Sequence, residues 1–242
     1  MSEELVPAAG IGRRRAPAGG LYGDAWAELR RRPLFLGSAV LIAVLVVMAV
    51  APHLFTSVDP FDARTCDLAA ARRPPSPAHP FGTDGLGCDV YARTVHGARN
   101  SLVVGLSTTV LTAFVGGLLG LVAGFCGRWP DAVLSRVAEV FFAIPSILGA
   151  LLILSLVERG GVGTVVAALA VLAWPMTFRI MRAAVIAAKS QDYVTAARAL
   201  GASPGRLMLR HILPNAVAPV IVVATINLGV FIAAEAGLSF LG

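Results

Sequence analysis

Charge is scarce in this chain: only 14% of its 242 residues are Asp, Glu, Lys or Arg, against 57% apolar residues and a mean hydropathy of +0.78. Water-soluble domains carry about 25% charged and 45–50% apolar residues, so this balance excludes a chain that is soluble throughout. Cysteine is nearly absent. The three present show no Cys-x-x-Cys spacing, which removes a metal scaffold. There is no Gly-x-x-x-x-Gly-Lys-Ser/Thr phosphate loop, so the chain does not hydrolyse ATP in the usual way, and no His-Glu-x-x-His zinc motif. With no Asp or His pair at membrane depth either, an intramembrane enzyme has nothing to work with, and no cofactor site is expected in this chain.

What is present is a series of apolar runs. A membrane helix needs about 20 mostly apolar residues to cross about 30 Å of hydrocarbon, and five stretches qualify or nearly do: 34–51, 100–125, 140–157, 162–178 and 217–234. The expected fold is therefore an all-α polytopic membrane bundle. The third and fourth runs stand so close that Glu158, Arg159, Gly160 and Gly161 must form a tight turn. Residues 1–33 are polar and rich in Pro, Gly and Arg, unlike a cleavable signal. They read as an amino-terminal tail, loose to about Gly20.

Lys and Arg set the orientation. Residues 1–33, 127–138 and 179–213 hold fourteen of the twenty, whereas 53–99, 158–161 and 235–242 hold six. Cytoplasmic loops carry the excess, so the amino terminus and the segment 179–213 are expected inside the cell, and 53–99 forms an extracytoplasmic loop. The pI near 10.0 invites nucleic acid, but Arg13–Arg14–Arg15 and Arg30–Arg31–Arg32 beside a first span hold orientation and meet anionic lipid. No nucleic-acid partner is expected.

Gly116, Gly120 and Gly124 line one face of the second helix and let another backbone approach; packing within the bundle is preferred to a homodimer face. Pro145 and Pro175 interrupt the third and fourth helices, as plain kinks or as kinks bordering a translocation path. Glu235 is read as an interfacial carboxylate before an ion-pathway one, and Glu139 likewise. His53, His79 and His96 are too scattered for a metal, and His211 reads as structural. Cys66 and Cys88 share the loop on the oxidising side, where disulfides persist, and are expected to pair; Cys126 stays free.

Two motifs carry chemistry of position. Asp192-Tyr193-Val194-Thr195-Ala196-Ala197-Arg198-Ala199-Leu200-Gly201 favours a helix stopped at Gly201. Ser203-Pro204 then reads as the N-cap and first residue of a short second helix bearing Arg206 and Arg210. His211-Ile212-Leu213-Pro214 is expected to end that helix before the fifth span. Upstream, His79 to Asp89 reads Pro-Phe-Gly-Thr-Asp-Gly-Leu-Gly-Cys after the histidine and leads into Gly97-Ala98-Arg99-Asn100-Ser101. By physics alone it is a turn-rich segment.

These stretches resemble the C-type permease subunits of the dipeptide, oligopeptide and nickel ABC importers, over roughly residue 22 to the end. The first resembles their E-A-A-x3-G-x9-I-x-L-P loop: Ala196, Ala197, Gly201, Leu213 and Pro214 match, while Thr195 replaces Glu and His211 replaces Ile. The second is similar to F-G-T-D-x-x-G-x-D with G-A-R-x-S, Cys88 standing where many relatives have Arg. Glu235 to Gly242 resembles E-A-x-L-S-F-L-G. The resemblance implies a bacterial cytoplasmic-membrane permease for di- or oligopeptides, with nickel or another small solute as the alternative substrate. It implies a homologous second permease subunit, two ATP-binding subunits that use ATP and Mg, and an external substrate-binding protein. It implies docking of residues 190–214 on the ATPase, and a sixth span beyond Gly242. A secondary transporter or channel is the rival reading, and would want charge at mid-membrane.

Overall fold

The computed structural model describes residues 21–241 except 61, 158 and 159. The tail to Gly20, with Arg13 to Arg15, and the Glu158–Arg159 part of the expected turn lie outside the described residues. The described residues fall into two compact units, divided between Val47 and Met48. In the first, α1 (Leu21–Leu29) is followed by α2 (Pro33–Val50), which starts at a proline because the first helical N–H has no partner to lose. The Trp26 and Phe35 rings meet edge to face at 6.0 Å, and Arg32 pairs with Glu28 at 3.0 Å.

The second unit is built on α3 (Val90–Cys126), α6 (Val162–Lys189) and α8 (Pro204–Leu241), with α4 (Arg128–Phe142), α5 (Ser146–Ser155) and α7 (Asp192–Ala199) beside them. Among the described residues four helices are long and apolar enough to cross a membrane, or five if α4 and α5 count as one broken span. The glycine stripe explains the central contact. A Cβ on Gly116 would lie 2.6 Å from the Trp174 carbonyl oxygen, and one on Gly120 2.6 Å from that of Phe178. The stripe is thus used inside the bundle, where α3 and α6 touch backbone to backbone. Val185, Phe178, Met181 and Trp174 fill the space around it.

The third run breaks at 143–145, where Pro145 was expected to interrupt it, and α4 and α5 meet at 84°. Pro145 has no N–H to donate and pushes Ile144 out of helical geometry. Pro175 does not interrupt its helix, because α6 runs on to Lys189 with Pro175 buried in it. Pro214 does not end the second loop helix either. That helix continues as α8 through a π-helical stretch, Leu207–Ile212, in which the Leu213 N–H reaches back to the Met208 carbonyl. The wider turn takes the proline ring away from the carbonyl one α-turn behind it, where it would clash. Finally, α3 starts at Val90, so part of the loop expected over 53–99 is helix. Asp89 caps it by accepting the Tyr91 N–H at 2.9 Å.

Candidate functional site

The basic segment after α6 folds into an elbow. Lys189, at the end of α6, donates to the Phe125 carbonyl at 2.6 Å, one of the last carbonyls of α3 that has no helical partner. After Ser190 and Gln191 the chain enters α7, whose first residue, Asp192, suits the positive end of a helix dipole. The stop at Gly201 is a Schellman turn: Gly201 N–H donates to Arg198 O at 3.0 Å and Ala202 N–H to Ala197 O at 3.1 Å. Gly201 holds φ +83, and nothing lies within 4 Å of where its Cβ would be. Its identity is therefore fixed by backbone conformation alone, not by crowding.

Beyond the turn, Ser203 stands at the N-cap with extended backbone, but its side chain makes no capping bond. Pro204 opens α8, and the Leu207 N–H returns to Ser203 O at 2.9 Å. Val194, Leu207 and Ile212 are fully buried with Leu121, Val185 and Ala216, so both arms of the elbow are plugged into the bundle. Thr195, Ala196, Arg198, Arg206, Arg210 and Pro214 stay exposed, and Ala197 and Leu213 are half-buried. Reading by motif missed Leu200, which is 89% exposed at the apex, and Leu209, 57% exposed. An apolar residue exposed at a turn, in a segment that also exposes Arg198, Arg206 and Arg210, is a surface suited to contact; only the αL stop next to Leu200 hinted at it.

A second feature invisible in sequence anchors the same end. Arg182 of α6 grips Asp131 of α4 with both arms of its guanidinium, Nη2 to Oδ2 at 2.6 Å and Nε to Oδ1, a planar fork that an ammonium cannot reproduce. Arg182→Ala is expected to destabilise the folded chain by about 1–3 kcal/mol, since it leaves a half-buried carboxylate without its charged donor. Arg182→Lys should recover only part of this. A fall in the thermal midpoint of the detergent-solubilised protein measures it, and an unchanged midpoint for Arg182→Ala would contradict the fork's role.

At the opposite end of α3 the Phe81–Asp89 motif forms a small cap. Cys66 and Cys88 are joined, S–S 2.05 Å, as their shared loop led one to expect; Cys126 is free and exposed. Gly87 has φ +77, and a Cβ there would strike the Asp67 carbonyl oxygen at 1.8 Å. Asp84 accepts the N–H groups of Cys88 at 3.0 Å and Leu86 at 2.8 Å and pairs with Arg93 at 2.6 Å. The Cys88 N–H above all, then the Leu86 N–H and the Arg93 charge, hold its carboxyl below the usual carboxylate range. Glu235 is half-buried, accepting from Ser101 Oγ at 2.8 Å and Ser239 Oγ at 3.1 Å. The Gly-Ala-Arg-Asn-Ser and Glu-Ala-Gly-Leu-Ser motifs therefore meet through it. Pro145 lines a cleft of about 480 Å³ between α5, α6 and α8, together with Phe142, Met176, Asn227 and Phe231; Pro175 does not. No group of three or more His, Cys, Asp or Glu suited to a metal occurs among the described residues.

The described helices, four or five of them long and apolar enough to span a bilayer, define a polytopic membrane protein with a structured basic elbow. The chain belongs to the family of binding-protein-dependent transport system inner membrane components, which it matches over residues 97–242, and residues 20–75 match the N-terminal TM domain of oligopeptide transport permease C. It is thus an ABC transporter permease subunit, the ATPase being a separate subunit. It is 35% identical to the oligopeptide transport system permease protein OppC of Bacillus subtilis, over 92% of this chain and 72% of the relative. The dipeptide transport system permease protein DppC of the same organism is 37% identical, over 90% and 67%. The glutathione transport system permease protein GsiD of Pectobacterium atrosepticum is 33% identical, over 90% and 72%.

Proposed function

We propose that this chain is one transmembrane subunit of an ATP-driven importer that moves di- or oligopeptides across the bacterial cytoplasmic membrane by alternating access. The observation that carries the reading is the elbow: an exposed apex of Leu200, Arg198, Arg206 and Arg210 on two helices locked into the bundle by Val194, Leu207 and Ile212. The elbow faces the cytoplasm with the amino terminus, by the Lys and Arg distribution, and docks on one of two ATP-binding subunits that use ATP and Mg. Leu200 enters an apolar pocket of that subunit, and the arginines fork onto its carboxylates or carbonyls. The second loop helix is one piece with α8, so displacement of the elbow is delivered directly to the cleft at Pro145 and Asn227, which α8 lines. Glu235, tied to Ser101, closes the far end. A homologous permease subunit completes the path, and an external binding protein delivers the substrate and sets most of its selectivity.

The test is uptake by the complete complex in proteoliposomes supplied with ATP and the binding protein. Labelled di- and oligopeptides are expected to accumulate only with both present. Accumulation of nickel but not peptides would overturn the substrate class, and uptake driven by an ion gradient without ATP would overturn the mechanism.

A further inference from the structure

Three polar side chains stand in the uncharged run of α8 over 212–234: Asn215, Thr225 and Asn227. Two are satisfied inside the helix. The Asn215 Nδ2 donates to the His211 carbonyl at 2.8 Å, and the Thr225 Oγ1 to that of Ile221 at 2.9 Å. Asn227 has the Val223 carbonyl at the same spacing, yet its side chain makes no hydrogen bond among the described residues and lines the cleft beside Pro145 instead. It stands eight residues before Glu235, about 12 Å inside it along the helix. An amide with two donors and an acceptor is costly at that depth unless something pairs with it.

Another part of the same wall is short of partners as well. At the break between α4 and α5 the carbonyls of Phe142 and Ile144 accept no backbone N–H among the described residues, and both residues line the cleft. Phe142 is 43% and Ile144 40% exposed, so this chain does not bury the break. Non-helical backbone at membrane depth persists only inside protein or along a wet path. The remaining wall is apolar, with Leu172, Met176 and Phe231, and none of the described residues that line it is charged; Arg179 stacks on the Phe142 ring at 4.0 Å, outside the lining. The cleft thus holds spare acceptors and one amide that both donates and accepts. A peptide bond offers the complementary set, one N–H and one carbonyl, and a neutral wall admits a peptide whatever charge its side chains carry.

We propose that Asn227 is a substrate-contact residue of the importer: its carboxamide pairs with one peptide bond of the solute as it passes the cleft, while the carbonyls at the α4–α5 break accept further N–H groups. The inference rests on the peptide-import reading and adds to it which side chain meets the cargo at membrane depth and what it reads, the backbone of the peptide and not its side chains. Asn227 belongs to α8, which is one piece with the elbow from Pro204 onward, so displacement of the elbow carries this contact with it.

The experiment uses the complete complex in proteoliposomes with ATP and saturating, peptide-loaded binding protein, so that capture by that protein does not limit the rate. Labelled Ala-Lys-Ala and Ala-Glu-Ala are the probes. Asn227→Leu should slow uptake of both alike by about fivefold, the loss of one neutral hydrogen bond, and Asn227→Gln should recover most of the rate. Asn227→Asp exchanges the amide for an anionic acceptor and should raise the ratio of Ala-Lys-Ala to Ala-Glu-Ala uptake by about threefold or more over wild type. A merely structural Asn227 would lower both peptides equally in the Asp variant, and an unchanged ratio there, with wild type transporting, overturns this proposal alone. Wild type that accumulates no peptide overturns the import reading and this proposal with it. Asn227→Cys in a Cys126→Ser background should react with a water-soluble methanethiosulfonate during ATP-driven cycling; a thiol at 227 shielded throughout would place lipid or another subunit on this face and overturn the proposal equally.

Discussion

Gly120→Val is expected to abolish the folded bundle. A Cβ at this position would lie 2.6 Å from the Phe178 carbonyl oxygen, 2.8 Å from the Met181 Cβ and 3.0 Å from the Arg182 N. Two of those three atoms are backbone, so no side chain can turn aside, and α3 and α6 must separate. Overpacking a close-packed interior costs about 1–3 kcal/mol where neighbours can shift, and here the shift would also open the contacts of Phe178 and Met181 on either side of the stripe. The expected result is loss of most protein from the monodisperse, detergent-solubilised fraction. Gly117, on the same helix, has nothing within 4 Å of its Cβ position. Gly117→Ala and Gly120→Ala thus differ only in where one methyl group lands, and only the second should lower the thermal midpoint. Wild-type recovery of Gly120→Val would show that the glycine stripe is not what holds these helices together.

Gly201→Val should leave the complex assembled but uncouple it. The left-handed backbone costs a non-glycine residue about 1–2 kcal/mol, and a β-branched side chain more, so the Schellman turn opens and Leu200 and the arginines lose their fixed spacing. Peptide uptake is expected to fall at least tenfold while ATP hydrolysis by the partner subunits continues. Asn tolerates this conformation better than other side chains, and the space around Gly201 is open, so Gly201→Asn should retain most of the uptake. Normal transport by Gly201→Val would refute the coupling role; equal loss in Val and Asn variants would mean that bulk at the apex matters and not its backbone.

The glycine stripe and the stop at Gly201 could be read from sequence because each is a local rule: a four-residue repeat on a helix face, and a left-handed residue after a run of helix formers. The prolines could be read only in part: the interruption at Pro145 was legible, but the outcomes at Pro175 and Pro214 were not. Pro145, Pro175 and Pro214 all sit in or beside apolar runs, yet one breaks the chain direction, one is buried in a continuous helix and one is absorbed by a π-turn. What separates them is tertiary: α6 is clamped along its length by the backbone of α3, whereas the 143–145 segment has α4 drawn aside by Asp131 and Arg182. That ion pair joins residues 51 positions apart, beyond any periodicity. The first turns of α3 were hidden for another reason. Arg93, His96 and Arg99 spoil the apolar pattern, and only the Asp89 cap marked the true start.

The length of α3 has a bearing on how anything reaches the far end of this protein. Its 37 residues extend about 55 Å, while the uncharged part from Asn100 onward suffices for the hydrocarbon. The ten residues from Val90 to Arg99 therefore lift the disulfide-closed cap about 15 Å further, clear of a headgroup layer only some 5–8 Å deep. The cap is therefore expected to stand above the lipid, and removing two helical turns from this stem is expected to bring it down among the headgroups.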